Sequence, residues 1–315
     1  DFSKRYQLIR KLGQGGASHV YEARQLGPDR QVAIKIGTSC NREDLKRFRR
    51  EVRLLSGLVH PAVLRVYESE VFLSVPVLVM EYLEGVTLGA RMQASGILRP
   101  RDVAPWMQQL LTGLEAAHAA GIIHRDLKPS NILVAGEGIE AAVKVIDFGI
   151  AKALAASKIA APGGTITQVG TSLGTPAYMA PEQAAGDDVD ARADLYAWGV
   201  MAYELLAGQH PFHARTTAQQ LIAAHIAEAP APLMDALDAS AKRDPVVRAF
   251  AAMVMQCLEK QPSARPASAT TLLTAMDDAT RSGSTASRWM RPTGPVRALA
   301  SPRSRGSRPT SMCRA

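Results

Sequence analysis

Residues 121–134 read "GIIHRDLKPSNILV". Apolar residues at both ends bracket a block in which His124, Arg125, Asp126 and Lys128 occupy five positions, with Asn131 just behind them. Solvated turns are usually built from Gly, Ser, Asn and Asp. A loop this rich in functional side chains, held between two segments that favour burial, therefore predicts a chemical site.

A second acidic motif follows in "VKVIDFG", residues 143–149, where Asp147 ends an apolar strand. A carboxylate at this position suits a hard divalent cation, which needs oxygen ligands, although a simple Asp turn explains it too. Asn131 offers a second oxygen ligand one strand earlier. Asp126 offers an acceptor for the proton of an incoming hydroxyl group.

The glycine-rich stretch "LGQGGASHVYEA", residues 12–23, places Gly13, Gly15 and Gly16 between two strands. A plain hairpin accounts for these glycines. The alternative is a loop whose backbone lies against a triphosphate, with Val20 just beyond it to cover a base.

About ten residues further on, "VAIK" places Lys35 on a strand amid apolar neighbours. Such a lysine either keeps an edge strand soluble or needs a partner, because burying an unpaired ammonium is costly. Glu51 on the next helix is the candidate partner. Its neighbours Arg49, Arg50 and Arg53 also fit an ordinary solvated helix face.

The chain divides into a strand-rich part and a helix-rich part. Up to about residue 83, five β-type runs are separated by turn signals, and one helix is predicted over "REDLKRFRREVRLLSGL", residues 42–58. Beyond Gly85 helical patterns prevail, most clearly at residues 101–121, 191–208, 244–260 and 267–280. This order predicts a small β-rich unit followed by a larger helical unit, with residues 121–134 close to their junction.

Composition limits the classes of partner. The chain has 315 residues, 47% of them hydrophobic, which is enough to bury a substantial core. Its formal net charge is +8, but residues 281–315 hold eight of the 37 basic residues and no acidic ones, which leaves 29 basic and 29 acidic residues elsewhere. The folded part is therefore expected to be neutral, and the Arg-, Ser- and Pro-rich tail is expected to be disordered.

The chain has three cysteines, Cys40, Cys257 and Cys313, and they lie far apart in the sequence. This spacing is typical of a protein in the reducing cytosol. His210 and His213 are close together, but no Cys or carboxylate joins them at ligand spacing, so a metal site is not favoured there. The longest apolar run, residues 71–80, is too short and too interrupted to span a bilayer.

The order of the motifs is more specific than any one of them. A glycine-rich loop, a strand lysine, a helix glutamate, "HRDLKPSN", "DFG" and "APE" follow one another, each in its expected structural context. Over about residues 4–280 the chain resembles the protein kinase superfamily, specifically the bacterial serine/threonine kinases of eukaryotic (Hanks) type. The stretches "HRDLKPSN" and "GTPAYMAPEQ" are the most specific parts of the resemblance.

The resemblance implies an α+β, bilobal protein kinase fold. A small antiparallel β-sheet lobe with one key helix is expected over residues 1–83, and it would bind ATP. A larger, mainly α-helical lobe is expected over residues 84–280, and a basic tail or linker over 281–315.

For the catalytic groups, the resemblance implies that Asp126 orients the substrate hydroxyl and accepts its proton, while Lys128 neutralises the transferred phosphate. Asn131 and Asp147 would bind two Mg²⁺ ions, with Mn²⁺ as the alternative metal. Lys35 would hold the α- and β-phosphates of ATP and pair with Glu51.

The same resemblance implies an adenine pocket. Met80 would be the gatekeeper, the Glu81 carbonyl and Leu83 amide would bond to adenine, and Ala33 and Leu133 would sandwich the ring. The implied nucleotide-binding set is Leu12, Gly13, Gly15, Gly16, Val20, Ala33, Lys35, Met80, Glu81, Leu83, Leu133 and Asp147. The sequence departs from the family pattern at Ser18, which occupies the position of the third glycine.

Six further residues are expected to be structural. By resemblance, His124 and Phe148 would stack in the hydrophobic column between the lobes. Asp194, together with Gly199 in "DLYAWG", would belong to the long helix that braces the catalytic loop. Arg265 would pair with Glu182.

Arg125 would receive a phosphate from the activation loop, roughly residues 147–182, and the new charge-assisted bonds would order that loop. Autophosphorylation is expected there, with Thr167 and Thr171 ahead of Thr165 and Ser172. Lys128 in "DLKPSN" and Thr175 in "GTPAY" match the serine/threonine branch, so the expected partners are proteins with Ser/Thr acceptors.

Three functions other than a protein kinase fit the sequence less well. A pseudokinase scaffold would typically lose a residue of the set Lys35, Asp126 and Asp147, all of which are present. A small-molecule phosphotransferase should lack "GTPAYMAPE", which builds a peptide-binding surface. A nucleic-acid role for the tail has only Trp289 as a base-stacking platform, so no nucleic-acid partner is expected.

Location and assembly follow as expectations. The kinase domain is expected to be cytoplasmic. A membrane anchor beyond this chain is compatible with the basic tail, because positive charge favours the cytoplasmic side. The resemblance also allows a homodimer.

Overall fold

In the computed structural model, residues 2–15, 18–37, 42–95, 98–148 and 176–282 are described. A strand-rich part precedes a helix-rich part, as the sequence predicts, and the bilobal α+β prediction is confirmed. None of the helices within these ranges is long and apolar enough to cross a bilayer.

The first part is a five-stranded antiparallel sheet with the strand order β1-β2-β3-β5-β4. Its strands are β1 (Tyr6–Gly15), β2 (Ser18–Gln25), β3 (Arg30–Gly37), β4 (Val66–Phe72) and β5 (Val75–Glu81), and helix α1 (Arg42–Ser56) lies between β3 and β4 in the chain.

Successive side chains of β3 and β5 alternate between the two faces of this sheet, and an apolar cluster covers each face. Ala33 and Met80 belong to the main core, which includes Phe48 and Val52 of α1. Their strand neighbours Val32, Ile34, Val77 and Val79 belong to a second apolar cluster with Tyr6. Because successive side chains of a strand point to opposite faces, the sheet is a wall with α1 and the main core on one side.

The second part contains a small antiparallel sheet and most of the helices. The sheet is β6 (Val86–Thr87), β7 (Ile132–Ala135) and β8 (Ala142–Val145). The helices are α2 (Leu88–Ser95), α3 (Pro100–Ala119), α4 (Pro181–Ala185), α5 (Arg192–Ala207), α6 (Ala218–Ala227), α7 (Leu233–Ala236), α8 (Ala239–Arg243), α9 (Pro245–Cys257) and α10 (Ala269–Ser282).

Helix α5 is the centre of this part, since nearly all of its residues are buried. The Trp198 indole nitrogen donates to the Met107 carbonyl of α3 at 3.0 Å, and the Trp198 ring contacts Phe250 of α9 edge-on. A Cβ atom added at Gly199 would lie 2.7 Å from the Cβ atom of Cys257. Glycine is therefore what lets α5 and α9 approach so closely.

The two parts meet along residues 62–65. The Val145 amide of β8 donates to the Ala62 carbonyl at 2.8 Å, and the Leu64 amide donates to the Val145 carbonyl at 2.9 Å. The β-type run "VLRVYESEV", residues 63–71, predicts a strand from Val63, but β4 begins at Val66, because Val63 bridges β8 in parallel instead. This junction places the end of β8, and hence Asp147, beside the large sheet.

Helix α6 was not among the predicted helices. It begins at a capping box in which Thr217 and Gln220 bond reciprocally to backbone amides. That Thr-x-x-Gln spacing is the signal that could have found it.

Candidate active site

Asp194 of α5 bonds to the loop at residues 122–128, and its side chain is only 1% exposed. Its carboxylate accepts from the backbone amides of His124 and Arg125 at 2.8 Å each, and it bonds to His118 Nε2 at 2.8 Å. Arg125 has φ of 61°, a left-handed conformation that costs about 1–3 kcal/mol for such a residue. The buried carboxylate fixes this backbone and thereby the position of Asp126.

Asp126, Lys128 and Asn131 lie together on this loop. Lys128 Nζ is 2.9 Å from Asp126 Oδ2. Asn131 Nδ2 donates to the Asp126 carbonyl at 2.8 Å and to its carboxylate at 3.3 Å. Because the amide nitrogen of Asn131 is used in these bonds, its amide oxygen is the atom that can bind a cation.

Asp147 lies beside Asn131, because the Ile146 amide donates to the Asn131 carbonyl at 2.8 Å. Asp147 has φ of 59° and forms a short ion pair with Lys35 of β3. A carboxylate and an amide oxygen side by side form a donor set that suits Mg²⁺. The ammonium of Lys35 adds a positive charge that suits phosphate.

Glu51 lies half-buried on α1. Among the residues that the structure describes, the ion pair of Lys35 is made with Asp147, and no ion pair joins Lys35 to Glu51. The structure thus brings Lys35 to Asp147, and the pairing of Lys35 with Glu51 stays a prediction.

The predicted stack of His124 on Phe148 is confirmed, with ring centroids 4.9 Å apart. His124 Nδ1 accepts from the Asp126 amide at 3.2 Å, and Nε2 faces the Ile146 carbonyl at 3.2 Å. Burial lowers the pKa of His124. The neutral imidazole therefore links the catalytic loop to the segment that follows β8 and contains Asp147.

The residues expected to hold the adenine base lie on β2, β3 and β5, close to Lys35, and on β7 of the second sheet. Ala33 pairs with Met80 across β3 and β5, and Val20 pairs with Lys35 across β2 and β3. Leu133 lies half-buried on β7, beyond the junction. Small and apolar side chains here suit a flat ring.

The remaining members of the nucleotide-binding set frame this pocket. Leu12 and Gly13 lie on β1, and Gly15 pairs with Ser18 where β1 turns into β2. Glu81 ends β5, with Leu83 two residues beyond it. Gly16 lies outside the described residues.

The "APE" motif, which contains Glu182, is anchored in the helical part. Glu182 of α4 accepts two hydrogen bonds from the Arg265 guanidinium, each 2.7 Å long, and both side chains are buried. This predicted pair is confirmed. The next residue, Gln183, donates to the Arg125 carbonyl at 2.9 Å, so α4 is tied directly to the catalytic loop.

A family model described as the protein kinase domain matches residues 6–276. The chain belongs to the protein kinase domain family. The matched range contains every site residue named above.

Several curated relatives of this kinase domain are named serine/threonine-protein kinases. The chain is 38% identical over 275 residues to the pkn2 kinase of Myxococcus xanthus, covering 86% of this chain and 32% of that protein. It is 38% identical over 270 residues to PknB of Mycobacterium tuberculosis, covering 84% and 41%. It is 40% identical over 213 residues to PrkC of Bacillus subtilis, covering 67% and 31%. The chain thus spans less than half the length of each of these relatives.

Sequence reasoning missed one polar contact of this kinase domain. Lys144 of β8 forms an ion pair of 2.8 Å with the side chain of Glu81, next to the expected adenine contact. Its signal was a lysine within an apolar strand, the same signal that singled out Lys35. The predicted phosphorylation sites Thr165, Thr167, Thr171 and Ser172, and Thr175, lie outside the described residues.

Proposed function

We propose that the chain is an ATP-dependent protein serine/threonine kinase that transfers the γ-phosphate of ATP to Ser or Thr hydroxyls of proteins. The observation that carries the proposal is the convergence of four groups from distant parts of the chain. Asp126 and Asn131 on the braced loop lie next to Asp147, which contacts Lys35 of the other lobe.

The nucleotide side of the proposal uses Lys35, Asp147 and Asn131. The contact between Lys35 and Asp147 places an ammonium and a carboxylate within reach of one nucleotide, so Lys35 can bind phosphate oxygens while Asp147 and Asn131 bind the metal. When bound, Mg²⁺ or Mn²⁺ neutralises charge on the phosphates. Met80, Glu81 and the residues of the expected adenine pocket would hold the base. Glu51 would orient Lys35 when α1 brings it within reach.

The acceptor side uses Asp126 and Lys128. Asp126 orients the acceptor hydroxyl and takes its proton, and Lys128, held 2.9 Å from that carboxylate, balances the charge of the transferred group. The names of the relatives and the "DLKPSN" motif support Ser and Thr as acceptors.

The test is phosphate transfer from labelled ATP with Mg²⁺ to a generic basic protein. The wild type should label the acceptor, whereas Lys35→Met and Asp147→Asn should each reduce the labelling by at least about 10²-fold, since each removes a charge that the anionic transition state needs. Equal labelling by wild type and both variants would contradict the proposal. No observation favours the pseudokinase alternative, which would require the wild type to be inactive.

We further propose activation by autophosphorylation, with Thr167 and Thr171 as the first sites. Support comes from Arg125, which lies exposed beside Asp126 and can bind a phosphate through charge-assisted bonds. Phosphopeptide mapping of the wild type beside Asp126→Asn tests this idea, and equal phosphate on both would assign the modification to another kinase. A cytosolic location, a homodimer and an anchor beyond this chain stay predictions.

A further inference from the structure

The turn at Pro176–Tyr178 is held by two histidines that converge on one oxygen atom. His210 Nε2 lies 2.7 Å from the Ala177 carbonyl oxygen, and His225 Nε2 lies 2.9 Å from the same atom. His210 belongs to the loop after α5, and His225 to the last turn of α6. A carbonyl oxygen has two lone pairs, so it can accept both bonds at once.

The bonding partners fix the protonation of both rings. His210 Nδ1 accepts from the Phe212 amide at 3.1 Å, so its proton is on Nε2. His225 Nδ1 faces the Tyr196 hydroxyl at 2.8 Å, which lets that hydroxyl donate while Nε2 donates to Ala177. Each imidazole is thus neutral, with Nε2 protonated, which is the form that can donate to a carbonyl. Burial lowers the pKa of both histidines, in agreement with this assignment.

The histidines are themselves held firmly. His225 is wholly buried, and its ring centroid lies 5.1 Å from that of Phe212 and 5.6 Å from that of Tyr196. Lys260 Nζ donates to the His225 carbonyl at 3.0 Å and lies over the Phe212 ring. The position of the Ala177 carbonyl is therefore set by the core of the helical lobe.

The turn is also coupled to the catalytic loop. Gln183 accepts from the Ala180 amide at 3.1 Å and donates to the Arg125 carbonyl at 2.9 Å. Residues 176–183 therefore form one strip between the paired histidines and the residue before Asp126. Because this strip is bonded to the residue before Asp126, it is the surface against which we expect an acceptor protein to lie when its hydroxyl approaches Asp126.

We propose that His210 and His225 are positioning residues of the acceptor-binding surface, acting through the Ala177 carbonyl. The proposal rests on the protein kinase function proposed above and adds a determinant of acceptor affinity to it. The histidines do not touch ATP or the transferred phosphate. Their loss should therefore raise the KM for the protein acceptor and leave the KM for ATP unchanged.

His210 is the better residue to test, because it is only half-buried and lies in a loop. His210→Leu removes the donor, whereas His210→Gln keeps an N–H group at similar reach. His213→Leu is the matched control, since His213 is an exposed histidine in the same loop. Steady-state kinetics would vary myelin basic protein at saturating ATP, and then ATP at fixed acceptor.

We expect His210→Leu to raise the acceptor KM about tenfold, which corresponds to about 1.4 kcal/mol. His210→Gln should recover most of that loss, and His213→Leu should match the wild type. Backbone amides in 176–183 should exchange with deuterium faster in His210→Leu than in His210→Gln, which separates a displaced turn from an unfolded protein.

Three results would overturn the inference. They are an unchanged acceptor KM in His210→Leu, an equal rise in the KM for ATP, and equal impairment of the Leu and Gln variants. A wild type that transfers no phosphate would instead refute the proposed function, and this inference with it, before any variant is compared.

Discussion

At the scale of single residues, Asp194 carries the greatest structural demand. One carboxylate, almost wholly buried, bonds to two consecutive backbone amides and to His118. All three partners can act as donors, so a side chain with two acceptor oxygens is needed there. The bonds hold the Arg125 backbone in a left-handed conformation directly before Asp126.

Asp194→Asn should therefore weaken both stability and catalysis. The substituted amide nitrogen would face backbone N–H groups, and one hydrogen bond to a charged acceptor would be lost, which costs about 1.5–3 kcal/mol of unfolding free energy. A shift of the catalytic loop by about 1 Å can lower kcat on the order of 10²-fold. Urea unfolding and kcat measured on one preparation check both effects.

Asp190→Asn is the matched control for that experiment. Asp190 pairs with Arg192 just before α5, but its side chain is about half exposed. An exposed ion pair contributes at most about 1 kcal/mol, so this variant should keep its kcat. If Asp194→Asn behaved like Asp190→Asn, the buried carboxylate would not be what holds the loop.

At the scale of elements, the packing of α5 against α9 keeps the helical lobe together beneath the catalytic loop. The contact depends on the missing side chain of Gly199, where a Cβ atom would meet the Cys257 Cβ at 2.7 Å and the Val254 carbonyl at 3.3 Å. Backbone and Cβ atoms cannot move aside as the end of a flexible side chain can. The two helices must therefore separate if this glycine acquires a side chain.

Gly199→Ala should lower the unfolding free energy by about 1–3 kcal/mol, as overpacking of a close-packed core does. Adding Cys257→Gly should recover part of the loss, because it removes the atom with the shortest contact. Gly27→Ala is the control, since a Cβ atom there meets nothing within 4 Å. Equal thermal midpoints for Gly199→Ala and Gly27→Ala would show that the helices adjust without cost.

The sequence predicts elements better than contacts between elements. Local residue patterns identified β1 to β5, α1, α3, α5, α9 and α10, because the formation of each element depends mainly on residues that are close in the sequence. It could not show that Lys35 reaches Asp147, since these residues are 112 positions apart and their meeting depends on how β3 and β8 approach at residues 62–65. For the same reason, the sequence did not show that His210 and His225 converge on Ala177. It indicated His210 and His213 as a pair instead, because these two are close in the chain.

At the scale of the whole molecule, the active site contains residues of both lobes, and each lobe contributes different chemical groups. The large sheet contributes Lys35 and the apolar pocket, and the helical lobe contributes the braced loop and the neutral histidines that bond to the turn at Pro176–Tyr178. His124, His210 and His225 are all held uncharged by burial. Acid should therefore act on the helical lobe through these three side chains.

Stability should fall as the pH drops below about 6.5. Burial, with His210 and Lys260 nearby, lowers the pKa of His225 from 6.5 to about 3. Between these values the unfolded chain binds a proton that the native protein excludes, so folding loses free energy as the pH falls. His225 alone should lower the unfolding free energy by about 1.2 kcal/mol between pH 7.0 and 5.5, and His124 and His210 act in the same direction.

Urea unfolding at pH 7.0 and 5.5 measures this dependence. His225→Gln should reduce the difference between the two pH values, whereas the exposed His213→Gln should leave it unchanged. An unfolding free energy that stays constant or rises toward pH 5.5 would contradict a neutral His225 in the native protein.

In the proposed reaction, Asp126 acts on the acceptor hydroxyl while other residues hold the nucleotide. The most direct measurement compares wild type and Asp126→Asn by calorimetric titration with Mg²⁺-ATP and by single-turnover phosphate transfer. We expect dissociation constants for Mg²⁺-ATP within about threefold of each other, equivalent to less than 1 kcal/mol, and a transfer rate lower by about 10²–10⁴-fold in the variant. Transfer at the wild-type rate by Asp126→Asn, or no transfer by the wild type, would contradict the proposed reaction.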